Sequence, residues 1–320
     1  MGERLYNVLV TGGAGYIGSI LVPALLAQGH QVTVIDSFIF GQASLLDCCA
    51  NPNFRVIKGD VRDHGLLAKE LAQHDIIVPL AAIVGAPACN RYPDATKAIN
   101  LDAIRFMASK LSADQRVVYP VTNSGYGIGD SGKLCTEESP LRPISLYGRT
   151  KVEAEAILLE KGRAVTVRLA TVFGASPRMR IDLLVNDFVY RAIYDRFVVL
   201  FEAHFKRNYI HVRDVTSAML FALKNYDAMR GQTYNCGLSD ANLSKRELCD
   251  KIKAHVPGFH ILESEVGEDP DKRDYIVSNA KIEASGWKPS HSLDDGIREL
   301  IKGYTIIRNG GRFDNLGGYA

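Results

Sequence analysis

The sequence predicts an α/β protein: a Rossmann-type, doubly wound parallel sheet with a smaller α/β substrate-binding domain. Three observations predict it. Strand-like and helix-like segments alternate through the first half, the pattern of parallel sheets covered by helices on both faces. A glycine-rich turn joins the first strand to the first helix. The chain has 320 residues, more than a single core of about 250–300 residues accommodates.

Each element has its own signal. Tyr6–Thr11 reads as a buried strand, and Gly12–Gly18 as a glycine turn. Ile17–Gln28 reads as a helix with Gly29 as its stop. Gln31–Asp36 is a second strand, rich in β-branched residues, and Phe54–Lys58 a third, followed by Gly59-Asp60. Leu66–Gln73 reads as a helix and Ile76–Ala81 as a strand. Ala95–Ser112 carries apolar residues at helical spacing, Arg116–Val121 is strand-like, Leu146–Leu159 is a long helix, and Ala164–Leu169 is a strand.

Beyond about Thr171 the pattern becomes irregular. Tyr209–Val215 and Gln232–Cys236 read as returns to the first lobe. The expected division is a first domain at 1–172, with returns near 207–236, and a second at 173–206 and 237–320. The tail at 308–320 has four glycines and no periodicity.

Composition narrows the function. Apolar residues are 47% and charged residues 23%, which excludes a mainly disordered or collagen-like chain. The net charge of +2 offers no single-sign field for nucleic acid or a membrane surface. The apolar run Leu5–Val10 is too short to span a bilayer. Six cysteines without C-x-x-C spacing read as reduced thiols of a cytoplasmic protein. The eight histidines show no metal-ligand pattern, and no metal site is expected.

The stretch Thr11-Gly12-Gly13-Ala14-Gly15-Tyr16-Ile17-Gly18 fits a dinucleotide turn. Glycines there let the backbone approach a pyrophosphate seated on the helix N-terminus. Asp36 ends the next strand 18 residues after Gly18. A carboxylate there accepts hydrogen bonds from a ribose 2′-OH and repels a 2′-phosphate. Ser37 and Phe38 follow it, not arginine. The expected cofactor is therefore NAD rather than NADP.

Tyr147 and Lys151 stand four residues apart on one helix face. Free tyrosine titrates near ~10, and a neighbouring cation favours the phenolate, which takes a proton from a substrate hydroxyl. Thr122, after the strand at 116–121, adds a hydroxyl at the same mouth.

Taken together, TGGAGYIG, the Gly59-Asp60-Val61 turn, Leu80-Ala81-Ala82, TNSGYG, YGRTK, RLATVFG, RNYIHVRDV, YNCG and GWKP come in one order. That order resembles the extended short-chain dehydrogenases/reductases, in their nucleotide-sugar epimerase/dehydratase branch, over nearly the whole chain. The resemblance implies NAD contacts at Gly12, Gly15, Tyr16, Ile17, Asp36, Asp60, Val61, Leu80, Ala81, Ala82, Tyr147 and Lys151, with Lys151 holding the cofactor ribose. It implies a catalytic set of Thr122, Tyr147 and Lys151, and a nucleotide-diphosphate sugar as substrate. Within the branch, TNSGYGIG, TEESPLRPIS, SPRMRIDLLVNDF and GEDPDKRDY are similar to the GDP-heptose 4-dehydrogenases of bacterial capsule-sugar synthesis, so a GDP-sugar is favoured.

The departures carry information. The positions after Thr122 are Asn123 and Ser124. The branch's 4,6-dehydratases have an Asp-Glu pair there, and its 3,5-epimerases a cysteine at the second position. Redox chemistry confined to C4 is therefore expected, with Asn123 and Ser124 as substrate contacts. Arginine suits a diphosphate through its bidentate fork, and Arg178, Arg207 and Arg273 are expected there. Arg180 and Arg213 are weaker candidates, and Asn186 is expected to contact the substrate. The apolar stripes of the helices at 95–112 and 146–159 predict a homodimer.

Overall fold

The computed structural model describes residues 4–130, 132–265 and 273–307. The tail at 308–320 and most of the GEDPDKRDY stretch lie outside the described residues.

Chain order runs β1 (Asn7–Thr11), α1 (Gly18–Ala27), β2 (Gln31–Asp36), β3 (Phe54–Lys58), α2 (His64–Leu71), β4 (Ile76–Pro79), α3 (Ala86–Arg91), α4 (Pro93–Lys97), α5 (Ala103–Lys110), β5 (Arg116–Thr122), β6 (Leu134–Cys135), α6 (Leu146–Glu160) and β7 (Ala164–Leu169). It continues with β8 (Thr171–Phe173), α7 (Leu184–Tyr194), β9 (Phe197–Phe201), β10 (Lys206–His211), α8 (Val212–Lys224), α9 (Tyr226–Met229), β11 (Gln232–Cys236), β12 (Asn242–Ser244), α10 (Lys245–His255), β13 (His260–Ser264), β14 (Ile276–Val277), α11 (Ala280–Ala284) and α12 (Leu293–Ile306).

Seven parallel strands form the main sheet in the order β11-β7-β5-β4-β1-β2-β3. β1, β4 and β7 are buried along nearly their whole length, because helices cover both faces. The chain winds outward from β1 to β3, then crosses to β4 on the other side of β1. The two strands pair from Val8↔Ile76 to Thr11↔Pro79. A ligand crevice opens beyond the carboxyl ends of strands at such a switch point. Pro120 lies inside β5, where a proline donates no ladder hydrogen bond. β4 pairs with β5 only as far as Val117, so Pro120 stands beyond that ladder.

The helix expected at 95–112 is interrupted. α4 widens into a π-type turn at Ala98–Asp102 before α5 begins. Asn100 in this turn is buried; its amide donates to Ile83 O (2.9 Å) and accepts from Ile83 N (2.8 Å). The bulge thereby holds the loop after β4, beside the crevice.

Two of the expected features are placed by the structure. The return at 209–215 is not a strand of the main sheet: β10 pairs with β8 and β12 in a separate three-stranded sheet. The chain comes back only with α8, which packs on α1, β5 and β7. β11 does enter the main sheet, as its edge beside β7. The second feature is the pair of helices expected at a dimer interface. Leu101, Ile104, Met107 and Ala108 are buried in one core with Ala154 and Leu158. The outer face carries Arg105, paired with Asp102 and with Glu153 (3.0 Å). Most of the apolar stripes that suggested a homodimer pack within the chain, while Ile99, Phe106, Leu111 and Ile157 stay partly exposed.

All six cysteines are free thiols. Among the described residues, no helix is long and apolar enough to cross a membrane.

Candidate active site

One cavity of about 1070 Å³ occupies the crevice. Single small-molecule pockets run to roughly 300–1,000 Å³, so this one has room for more than one ligand. Of the residues expected to hold cofactor, Gly12, Gly15, Tyr16, Ile17, Asp36, Asp60, Val61, Leu80, Ala81 and Ala82 all line it.

The turn after β1 fits a dinucleotide backbone. Gly12 has φ +70°, and a Cβ there would lie 2.6 Å from Ala81 N. A Cβ on Gly18 would lie 2.4 Å from Gly13 O, so the turn and α1 close on each other only with glycine. A Cβ on Gly15 would meet Gly12 O at 3.1 Å. The N–H groups of Ser19, Ile20 and Leu21 donate back to Gly15 O and Ile17 O, and the tight glycine turn before them lets a diphosphate approach the start of the helix.

Asp36 ends β2 with its carboxylate already held. Oδ2 accepts from Ala14 N (3.0 Å), and Oδ1 accepts from Phe38 N (2.8 Å) and Gln42 Nε2 (3.2 Å). Burial raises its pKa above the usual carboxylate value, against these hydrogen bonds. Asp60 accepts from Arg62 Nη2 (2.7 Å) and Nε (3.0 Å), and this pairing lowers its pKa. Tyr16 donates to Gly174 O (2.6 Å), which ties the glycine turn to the segment after β8.

The hydroxyl cluster forms where β5 ends. Thr122 caps the short turn at Asn123–Tyr126: Ser124 N donates to Thr122 Oγ1 (3.1 Å), and Thr122 Oγ1 donates to Ser124 Oγ (2.8 Å). Arg273 also donates to Ser124 Oγ. Tyr147 lies in the first turn of α6 and is hydrogen-bonded to Thr122; burial pushes its phenol up to about 12. Lys151 lies one turn further along, 5% exposed. Burial depresses its ammonium to about 7, opposed by Glu155. Glu155 is itself paired with Arg168 at 3.0 Å.

The expected substrate residues divide. Ser124, Arg178, Arg207 and Arg273 line the cavity. Arg207 lies with its guanidinium carbon 5.6 Å from the Tyr275 ring centre. Arg178 instead lies over Phe40, at 4.3 Å, on the Asp36 side. Arg180 is ion-paired with Asp182, its Nε 3.1 Å from Oδ1, and its charge acts on Tyr147 and Tyr16. Arg213 is half-exposed and pairs with Glu299 at 3.3 Å.

Two of the expected substrate residues stand off the cavity lining. Asn186 is fully buried, and both ends of its amide are used inside the protein. It accepts from Gly174 N (3.0 Å) and donates to Arg180 O (2.8 Å) and Tyr16 Oη (3.3 Å). Its amide holds the loop before α7, and Asn186 is not among the residues lining the cavity. Asn123 is 1% exposed, and neither atom of its amide meets a partner. Its side chain is enclosed in the protein, while Ser124 beside it lines the cavity.

Sequence reasoning missed Lys245. It is buried, lines the cavity and donates from Nζ to Phe201 O (2.7 Å). One signal was available. Lys245 is the first residue of α10, directly after the Ser244 cap, where a cation opposes the helix dipole. Among the described residues, no three metal-ligating side chains come together.

The switch-point crevice, the glycine cradle and the held carboxylate of Asp36 define a dinucleotide-binding α/β protein. The chain belongs to the NAD dependent epimerase/dehydratase family, whose model matches residues 8–237, and its cofactor is NAD. It is 31% identical over 318 residues to the low-salt glycan biosynthesis protein Agl12 of Haloferax volcanii, covering 93% of this chain and 98% of that one. It is 27% identical over 316 residues to a UDP-glucose 4-epimerase of Corynebacterium glutamicum, covering 89% and 92%. Its structure matches that of DesIV, a dTDP-glucose 4,6-dehydratase from Streptomyces venezuelae with NAD and TYD bound. The TM-score is 0.81 and the identity 28%, over 97% of this chain and 100% of that one.

Proposed function

We propose that this protein oxidises the C4 hydroxyl of a nucleotide-diphosphate sugar, and that the sugar is a GDP-heptose destined for capsule or other surface polysaccharide. One observation carries the reading. The phenol of Tyr147 is hydrogen-bonded to Thr122 in the same cavity as the glycine turn, Lys151 and the basic residues Arg207, Lys245 and Arg273. The GDP-heptose assignment rests on the similarity of the stretches TNSGYGIG and SPRMRIDLLVNDF. A protein without membrane-spanning helices among its described residues, and with six free thiols, suits the cytoplasm.

NAD, held by the glycine turn, Asp36, Asp60, Val61 and Leu80–Ala82, supplies the hydride acceptor. Tyr147 removes the C4 hydroxyl proton. Burial holds the resting phenol up to about 12, so it first releases its own proton to solvent; the charges of Arg180 and Arg273 and the hydrogen bond with Thr122 favour the phenolate, which then takes the C4 proton. Once the phenolate forms, Thr122 turns its proton toward it. Ser124 Oγ accepts from both Thr122 and Arg273, so its own proton is left to point at a sugar oxygen. Arg207, Lys245 and Arg273 bind the substrate diphosphate, each as a charge-assisted donor.

A second reading, a 4-epimerase, is favoured by the UDP-glucose 4-epimerase among the relatives. Its first step is the same, and the keto-sugar is then reduced on its other face. The test incubates the enzyme with NAD and UDP-, GDP-, CDP- and dTDP-sugars, GDP-heptose included, and follows NADH absorbance and product mass. A GDP-heptose product lighter by two hydrogens, with NADH formed, supports the dehydrogenase. A product of unchanged mass and inverted C4 supports the epimerase. No conversion of any sugar nucleotide overturns both.

A further inference from the structure

Arg178 is expected at the substrate diphosphate, yet its surroundings belong to the cofactor half of the cavity. The segment at 174–178 is stitched onto the glycine turn and the start of α1. Tyr16 Oη donates to Gly174 O (2.6 Å), and Ser176 Oγ donates to Tyr16 O (2.7 Å). The hydroxyls of Ser19 and Ser176 are 2.8 Å apart, and Arg178 N donates to Ser19 Oγ (3.4 Å). The backbone of Arg178 is therefore anchored on the first turn of α1.

Its side chain then runs toward the end of β2. The guanidinium carbon stands 4.3 Å from the centre of the Phe40 ring, and its charge reaches the Asp36 carboxylate. One guanidinium nitrogen donates to Met179 O. Arg178 is 5% exposed, and it lines the cavity beside Phe40, Gln42 and Asp36. A dinucleotide lays its pyrophosphate on the N-terminus of the first helix and its adenosine ribose against the acid that ends the second strand. Arg178 is anchored at the first of these places and directed toward the second. Its guanidinium, partly desolvated and stacked on an aromatic face, offers a planar fork to phosphate oxygens.

We propose that Arg178 is a cofactor-binding residue, reaching from the segment after β8 toward the adenosine end of NAD that Asp36 marks, where its fork meets the phosphate adjoining that ribose, and that it makes no contact with the sugar nucleotide. The substrate diphosphate is left to Arg207, Lys245 and Arg273. The proposal rests on NAD as cofactor and is independent of which sugar is oxidised.

The test is binding without turnover. NAD⁺ and, separately, GDP and UDP are titrated calorimetrically into the wild type, Arg178→Met and Arg178→Lys. Loss of a charge-assisted hydrogen bond to phosphate weakens NAD⁺ by at least ~10-fold in Arg178→Met, and by less in Arg178→Lys. GDP and UDP affinities stay within about two-fold, as expected for a group that does not touch them. Unchanged NAD⁺ affinity, or a fall in GDP or UDP affinity instead, overturns the assignment. Should Arg178→Met fail to fold, Phe40→Leu removes the stacking platform and keeps the charge. It weakens NAD⁺ several-fold if the proposal holds and leaves it unchanged if not.

Discussion

The ammonium of Lys151 lies 3.9 Å from the centre of the Tyr119 ring, which projects from the middle of β5. Tyr119 is 1% exposed, and its hydroxyl meets no partner. Lys151 is thus held by an aromatic face and by the field of Glu155, one turn further along α6. A cation over a ring recovers only part of the hydration it loses.

That cost is visible in pH. The ammonium titrates near 7 in the folded chain and near ~10.4 in the unfolded one. Between these values the unfolded state binds the extra proton, so stability rises with pH; below about 7 the full cost of the buried charge is present. Lys151→Met is expected to raise stability by a few kcal/mol at pH 6 and by much less at pH 10. Urea denaturation at the two pH values measures it. An equal effect at both would show that the ammonium is not destabilised by burial.

Tyr147→Phe keeps the ring and deletes the hydroxyl that bonds Thr122. Turnover is expected to fall by at least ~10²-fold, the scale of general acid–base help, while NAD⁺ binds as before. Steady-state kinetics with a calorimetric titration of NAD⁺ separates the two. Near-normal turnover removes Tyr147 from the reaction.

Reaction type is tested in heavy water. A C4 ketone acidifies the hydrogens at C3 and C5, and exchanging them needs a placed acid–base group. Here Asn123 is enclosed and Ser124 accepts from Thr122 and Arg273. No enzyme-dependent deuterium is expected at C3 or C5, and no product lighter by one water. NMR and mass spectrometry read both. Cys89, buried with its Sγ 3.3 Å from Ile83 O and its thiol pushed up to about 11, is the first residue to mutate if exchange appears.

Asn186→Leu tests the place of that residue off the cavity lining. The substitution leaves Gly174 N and Arg180 O without their buried partner. Each such loss costs roughly 1–3 kcal/mol, so about 2–6 kcal/mol of stability is expected to go. Denaturant unfolding measures it. Wild-type stability with a raised KM for the sugar nucleotide would return Asn186 to the substrate.

Asp36→Ala removes the carboxylate that ends β2, and with it the charge that repels a 2′-phosphate. The ratio of NADP to NAD affinity is expected to rise by at least ~10-fold, the scale of one charge-assisted contact. Competitive titration of the two dinucleotides measures it; an unchanged ratio takes Asp36 away from the ribose.

The sequence by itself determined what depends on near neighbours along the chain. Six of the seven main-sheet strands and helices α1 and α6 announce themselves by apolar periodicity and by glycine or serine boundaries. The turn at 12–18, Asp36, and the Tyr147–Lys151 pair follow from spacing within a few tens of residues. What only the tertiary structure decided depends on partners far away in the chain. Tyr16 meets Gly174 across 158 residues, and Arg178 meets Ser19 across 159. The second anchors Arg178 on the cofactor side, and the amide of Asn186 is held by Gly174 N, Arg180 O and Tyr16 Oη. β10 likewise carries a strand pattern that says nothing about which sheet it joins. Local pattern specifies a backbone conformation and a buried face. The direction of a long polar side chain follows from which distant groups offer it hydrogen bonds once the water around it has been removed.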